Sequence, residues 1–273
     1  MLNTFGVYSL AKLPKLNPIF RPLDLKNMKV ALFIPCYVDQ FYPNVGVATL
    51  QLLEKLGVEV VFPMKQTCCG QPMANGGCEQ DSKGVYEHFV DTFSEFDYIV
   101  TPSGSCAYHI KKHYDIIEQT PAVNKVRKSI YELVDFIENV LKIEEIPNSF
   151  PHKVGLHLSC HGQRGLRQAN ASEITGVRDG QISKLLRKLK GIELSELNRN
   201  DECCGFGGMF CVTEEAVSAR MGQDRIADHL CNGTKVLTGG DVSCLMHLQG
   251  IIKRQNAPIK VMHIAEILNG NQP

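Results

Sequence analysis

The chain lacks three things: a surplus of either charge, a long apolar run and a nucleotide-binding loop. Each absence closes off a class of function. Twenty-nine Lys and Arg residues balance 29 Asp and Glu residues over 273 positions. Such a balance leaves no electrostatic footprint for nucleic acid or an anionic membrane surface. A bilayer span needs about 20 consecutive apolar residues, whereas the best run here, Val30 to Pro35, is strand-sized. Gly205-Phe-Gly207-Gly208 lacks the third glycine of a dinucleotide fingerprint, and no acidic partner follows at the matching distance. A dinucleotide site is therefore excluded. Tryptophan is also absent, which carries no weight. With 44% apolar and 21% charged residues the composition is that of an ordinary globular protein. The length suits one large domain or two of about 130 residues.

Cysteine is what the chain has in quantity. There are 11, an odd number that cannot all be paired, in a chain far longer than a small disulfide scaffold. A reducing, cytoplasmic setting with thiolates held for a cofactor fits better. Eight of the cysteines form two sets in the same order: Cys36, Cys68-Cys69-Gly70 and Cys106, then Cys160, Cys203-Cys204-Gly205 and Cys244.

The segments around these sets repeat as well. Lys29-Val-Ala-Leu-Phe-Ile-Pro-Cys36 recurs as Lys153-Val-Gly-Leu-His-Leu-Ser-Cys160, 124 residues later. Short apolar runs bounded by turn residues read as buried parallel strands. In the first half the pattern predicts a helix over 45–56 closed by Gly57, a strand over 58–62, a helix over 83–93 and a strand over 98–101. A helix from about Ala107 and another over 126–141 complete it. The second half reads as helix 182–189, strand 192–194, helix 214–229, strand 235–238, strand 259–262 and helix 263–268. The expected fold is α/β, with two related lobes, each a small parallel β-sheet flanked by helices. The expected boundaries are 29–145 and 153–268, with a Pro-containing junction between them. Residues 1–28 read as an irregular N-terminal extension, and Met28-Lys29 resembles an alternative start. Lys12, Lys15, Arg21 and Lys26 give a transit-peptide composition, but Pro14, Pro18 and Pro22 would break an amphipathic helix.

Every cysteine position in both sets falls after an expected strand, and parallel sheets bind ligands at the carboxyl ends of their strands. Each half should therefore gather its own four thiols. A lone cysteine is most often a packing residue; eight in two matching sets are not. Vicinal cysteines serve one site only if the chain turns there. Gly70 and Gly205 permit that turn and let backbone N–H groups approach sulfur. Four thiolates suit an iron–sulfur centre, expected as [4Fe–4S] with up to one per domain, or a tetrahedral zinc. Gaps of 31 and 42 residues before the vicinal pairs, and 36 and 39 after them, are unlike the tight pairs of zinc fingers.

On these residues the chain resembles the cysteine-rich (CCG) domain family. That family includes a component of heterodisulfide reductase and the iron–sulfur subunits of glycolate- and glycerol-3-phosphate-oxidising complexes. Phe-Ile-Pro-Cys36-Tyr-Val-Asp-Gln-Phe, Cys68-Cys69-Gly70-Gln-Pro and Glu202-Cys203-Cys204-Gly205-Phe-Gly-Gly look most like the LutA/LldE/YkgE lactate-utilisation group, over about residues 29–268. The resemblance implies an iron–sulfur electron-transfer subunit of a multi-protein complex oxidising L-lactate to pyruvate without a nicotinamide cofactor. Its implied partners are the complex's other iron–sulfur and accessory proteins. The heterodisulfide reductase pattern of five cysteines has a further cysteine where this chain has Ser103 and Asp241, so that cluster does not carry over directly. Two alternatives stand beside this reading, a cluster-based thiol or disulfide reductase subunit and a zinc-stabilised, non-catalytic scaffold.

Other residues invite weaker readings. Cys106-x-x-His109 and Cys244-x-x-His247 place an imidazole one helical turn from each distal cysteine, as a ligand, a hydrogen-bond donor or a packed neighbour. Cys78 and Cys211, at similar distances past their pairs, read as packing residues before ligands, and Cys231 as structural. Arg164 and Arg167, in the loop after Cys160, could hold a substrate carboxylate or contact solvent or a partner.

Overall fold

A computed structural model describes residues 28–171 and 180–273, and the chain divides into two units between Ile143 and Glu144. The extension over residues 1–27 lies outside the described residues. The first unit opens with β1 (Val30–Leu32), α1 (Cys36–Phe41), α2 (Pro43–Lys55) and β2 (Val60–Val61). It continues with α3 (Gln71–Asn75), α4 (Lys83–Phe93), β3 (Tyr98–Thr101), α5 (Gly104–His113), α6 (Pro121–Ser129), β4 (Ile130–Glu132) and α7 (Leu133–Asp135). The second unit runs β5 (Lys153–Leu156), α8 (Gln181–Leu186), β6 (Glu193–Leu194), α9 (Phe210–Thr213) and α10 (Glu215–Cys231). It ends with β7 (Val236–Gly239), α11 (Val242–Gln255), β8 (Lys260–His263) and α12 (Ile264–Asn269).

Each unit contains a four-stranded parallel sheet, ordered β2-β1-β3-β4 in the first and β6-β5-β7-β8 in the second. The fold is thus the expected α/β arrangement. The registers match: Ala31 pairs with Ile99 in one sheet and Gly155 with Leu237 in the other. Helices cover the strands, and Val30, Ala31 and Leu32 are all buried, as in a sheet packed on both faces. In the first unit Phe33 meets Phe89 and Phe93 edge-on at ring-centroid distances of 4.9 and 5.8 Å, anchoring α4 to the sheet.

Strand order positions the site. The chain leaves β1 toward β2 on one side and later returns to β3 on the other. At such a reversal the connections diverge and leave a crevice beyond the strand ends. β5 stands between β6 and β7 in the same way.

One expected element is wrong. The helix over 126–141 is interrupted: α6 ends at Ser129, and Ile130–Glu132 pairs in parallel with Ile99–Thr101. The apolar residues of this stretch fit a helical period, but the open edge of β3 offers backbone partners, and pairing there overrides the periodicity. Glu132 is buried where strand turns into helix, and its carboxylate accepts from the N–H groups of Val134 and Asp135. The internal repeat contains the missing signal, because β8 likewise leads through a capping residue, His263, into α12. α5 also starts earlier than expected, at Gly104, which brings Cys106 inside its first turn.

Candidate metal centres

In each unit three chain segments deliver cysteines to the carboxyl ends of the strands. Cys36 opens α1 just after β1, Cys68-Cys69 follows β2, and Cys106 lies in the first turn of α5 after β3. Cys160, Cys203-Cys204 and Cys244 stand in the same relation to β5, β6 and β7. Gly70 and Gly205 take φ values of 86° and 90°, the left-handed region that turns the vicinal pair. Their N–H groups donate to Cys68 Sγ and Cys203 Sγ, each at 3.4 Å. Tyr114 Oη donates to the Cys69 carbonyl at 3.1 Å, and Ser218 Oγ to the Gly205 carbonyl at 2.7 Å, so both loops are pinned from beneath.

The four sulfurs of each set form a chain. Cys36 Sγ lies 3.7 Å from Cys68 Sγ, and Cys69 Sγ lies 3.4 Å from Cys106 Sγ, with Cys68 and Cys69 hydrogen-bonded to each other between them. Cys160, Cys203, Cys204 and Cys244 are linked in the same order. All eight are free thiols. Hydrogen bonds from Cys36 and Cys69, with the Gly70 N–H and the nearby His109, pull Cys68 down to about 3. Cys203 is held at about 2, first by bonds from Cys160 and Cys204 and then by the Gly205 N–H. Cys36 and Cys160 are pushed upward, mainly by donating to those thiolates and then by burial. Cys69 is raised first by its bond to Cys106 and then by that to Cys68, Cys204 first by Cys203 and then by Cys244, and burial adds to both. Each set therefore stabilises one thiolate readily and resists a second negative charge. A bound cation or iron–sulfur core would relieve that repulsion and hold all four as thiolates. The donor set fits such a group.

The expected neighbours divide. His109 is buried and its Nε2 lies 2.9 Å from Tyr86 Oη, with its ring stacked on His113 at 4.8 Å. His247 packs against Phe206 and approaches the backbone of Ser218 and Cys204. Ser103 caps α5 by accepting the Cys106 N–H at 3.3 Å, so its oxygen orients a cysteine. Asp241 is the buried cap residue of α11, with Ser243 Oγ 3.5 Å from its carboxylate. Cys78 and Cys231 are exposed, contrary to their reading as packing and structural residues, because each sits at the surface end of a helical segment. Cys211 is half-buried and donates to the Gly208 carbonyl at 3.0 Å. Arg164 faces Asp201 at 3.7 Å.

His157 is the residue that sequence reading missed. It follows β5 directly and is 1% exposed. One of its ring nitrogens lies with Cys204 Sγ and Cys244 Sγ in a group whose ligand atoms are all within 4.8 Å of one another. Burial, aided by Arg225, holds it down at about 3, so the imidazole is neutral near pH 7. A single imidazole inside an apolar strand looks like core, and only its three-dimensional neighbours mark it.

A family model described as CCG, cysteine-rich domain, matches residues 30–111 and 154–249, one copy around each cysteine set. The chain belongs to the CCG cysteine-rich domain family. Among its relatives is Lactate utilization protein A of Bacillus licheniformis, 45% identical over 246 residues, covering 89% of this chain and 99% of that protein. The proteins of the same name from Bacillus subtilis and Halalkalibacterium halodurans are each 41% identical over 246 residues and 89% of this chain, covering 99% and 97% of their own lengths. A solved structure of a putative Asp/Glu racemase from Yersinia pestis aligns over 89% of this chain and 96% of its own. Its identity is 11% and its TM-score 0.37, a likeness that carries no argument.

Proposed function

We propose that this CCG protein is an iron–sulfur electron-transfer subunit of a multi-protein system that oxidises L-lactate to pyruvate without a nicotinamide cofactor. The observation that carries the reading is the duplicated set of four free thiols brought to the carboxyl edge of a parallel sheet, two pairs of them in contact in the first unit. The relatives' name, Lactate utilization protein A, supports lactate as the substrate of that system. Cys36, Cys68, Cys69 and Cys106 would hold one centre, and Cys160, Cys203, Cys204 and Cys244 the other. A bound iron–sulfur group would supply reversible one-electron chemistry. The chain's own contribution is to fix the thiolates, through the Gly70 and Gly205 N–H groups and the Ser103 cap, and to bury Cys69, Cys106 and Cys204 from water. Partner subunits would deliver and remove electrons, in the cytoplasm.

A tetrahedral zinc in each set is the second reading. Sulfurs 3.7 and 3.4 Å apart form two close pairs in the first unit, but among the described residues no three cysteine sulfurs lie mutually within 4.8 Å, so binding either group would shift these side chains. Anaerobic purification and reconstitution, followed by iron, sulfide and zinc analysis and a redox titration, decides between them. Acid-labile sulfide with a reversible one-electron signal is the expected result; colourless protein holding zinc alone overturns the electron-transfer reading.

A further inference from the structure

The two units differ at one position beside their thiols. Phe33 and His157 occupy equivalent places in the repeat, and their N–H groups make equivalent bonds, to the Val100 and Thr238 carbonyls, each at 2.8 Å. Phe33 is buried among Phe89 and Phe93 and closes off the first sheet with hydrocarbon. His157 is equally buried, yet neither ring nitrogen has a hydrogen-bond partner. An imidazole shut away from water with both nitrogens unpaired is unfavourable unless something is bound beside it. Here the neighbours are Cys204 Sγ and Cys244 Sγ, within the 4.8 Å that lets one cation reach all three donors. Among the described residues this is the one such group, and it lies in the second unit.

We infer that His157 supplies a nitrogen ligand to the second centre beside Cys204 and Cys244, so that the two units hold metal in unlike donor sets. The inference rests on the metal-centre reading above and gives the duplication a purpose. The first unit offers sulfur, whereas the second adds a neutral imidazole. In iron–sulfur centres imidazole ligation raises the reduction potential. The second centre is then the stronger electron acceptor of the two.

The test uses the full chain with Cys36, Cys68, Cys69 and Cys106 all replaced by Ser, which isolates the second site, with and without H157F or H157Q. Each protein is loaded anaerobically with iron and sulfide and, in parallel, with Co(II). The readout is nitrogen hyperfine coupling by pulsed electron paramagnetic resonance. The full chain with all its cysteines intact, grown with ¹⁵N-histidine and carrying H247Q, provides the same readout if the multiple variant fails to fold. The expected result is a strong histidine-nitrogen coupling that both His157 substitutions abolish, with metal affinity lowered about tenfold or more. Iron and sulfide assembling without that coupling overturns the inference and leaves the electron-transfer reading standing. Nitrogen-coupled cobalt with no sulfide assembly does the reverse. A second unit that takes up neither metal overturns both.

Discussion

Gly205 shows how a single residue sets a thiol's position. Its φ of 90° suits glycine alone, and a Cβ there would come within 2.6 Å of the Ser218 carbonyl and 2.8 Å of Met221 Cβ. Gly205→Ala should therefore destabilise the second unit by about 2 kcal/mol or more, visible as a lower denaturation midpoint; an unchanged midpoint would contradict the turn's role. His229 predicts a pH effect. It is buried against the Thr234 hydroxyl, with Arg225 and His157 nearby, and burial lowers it from 6.5 to about 2. Because the folded value is depressed, the unfolded chain takes up the proton first as pH falls. His229 contributes stability that is full above pH 6.5 and falls by about 1.4 kcal/mol per pH unit below it, and His157, also held low by burial, adds a similar fall. Urea midpoints measured between pH 7 and 4.5 should show the combined slope, and His229→Leu should lessen it by about half. A slope unaffected by the substitution would remove His229 as its source. The role of Gly205 was legible from the motif. That of His229 was not, since the pairing of Gly155 beneath its ring belongs to the packed sheet.

At the level of elements, the helix N-termini set the distal cysteines. Ser103 holds the first turn of α5 through the Cys106 N–H, and Ser103→Ala should cost about 1 kcal/mol and loosen the first centre before the second. Iron retained by the first unit during mild chelation measures this; retention equal to that of the parent chain would show the cap to be dispensable. Most elements were legible because β-branched runs and helical periods are local signals. α4 and β3 occupy their expected ranges, 83–93 and 98–101. β4 was not legible, since Ile130-Tyr131-Glu132 is a strand only by virtue of the vacant edge of β3. The same limit applies to the start of α5, where a serine side chain, not an apolar period, begins the helix.

Across the whole molecule the repeat predicts two separate centres. Cys69→Ser should remove the metal of the first unit alone and Cys204→Ser that of the second, each leaving about half the total by elemental analysis. Loss of all metal from either substitution would show that the centres depend on each other. The sequence by itself determined that there are two parallel-sheet units, that each gathers one cysteine set, and that a glycine turns each vicinal pair. These are properties of short segments and of their repetition. Only the tertiary structure decided the order of the sulfurs within each set, the capping task of Ser103 and the place of His157 beside Cys204 and Cys244. The physical reason lies in the strand order. Residues tens of positions apart meet only because β1 and β5 each lie between two parallel partners, and no local pattern records which edge a strand will choose.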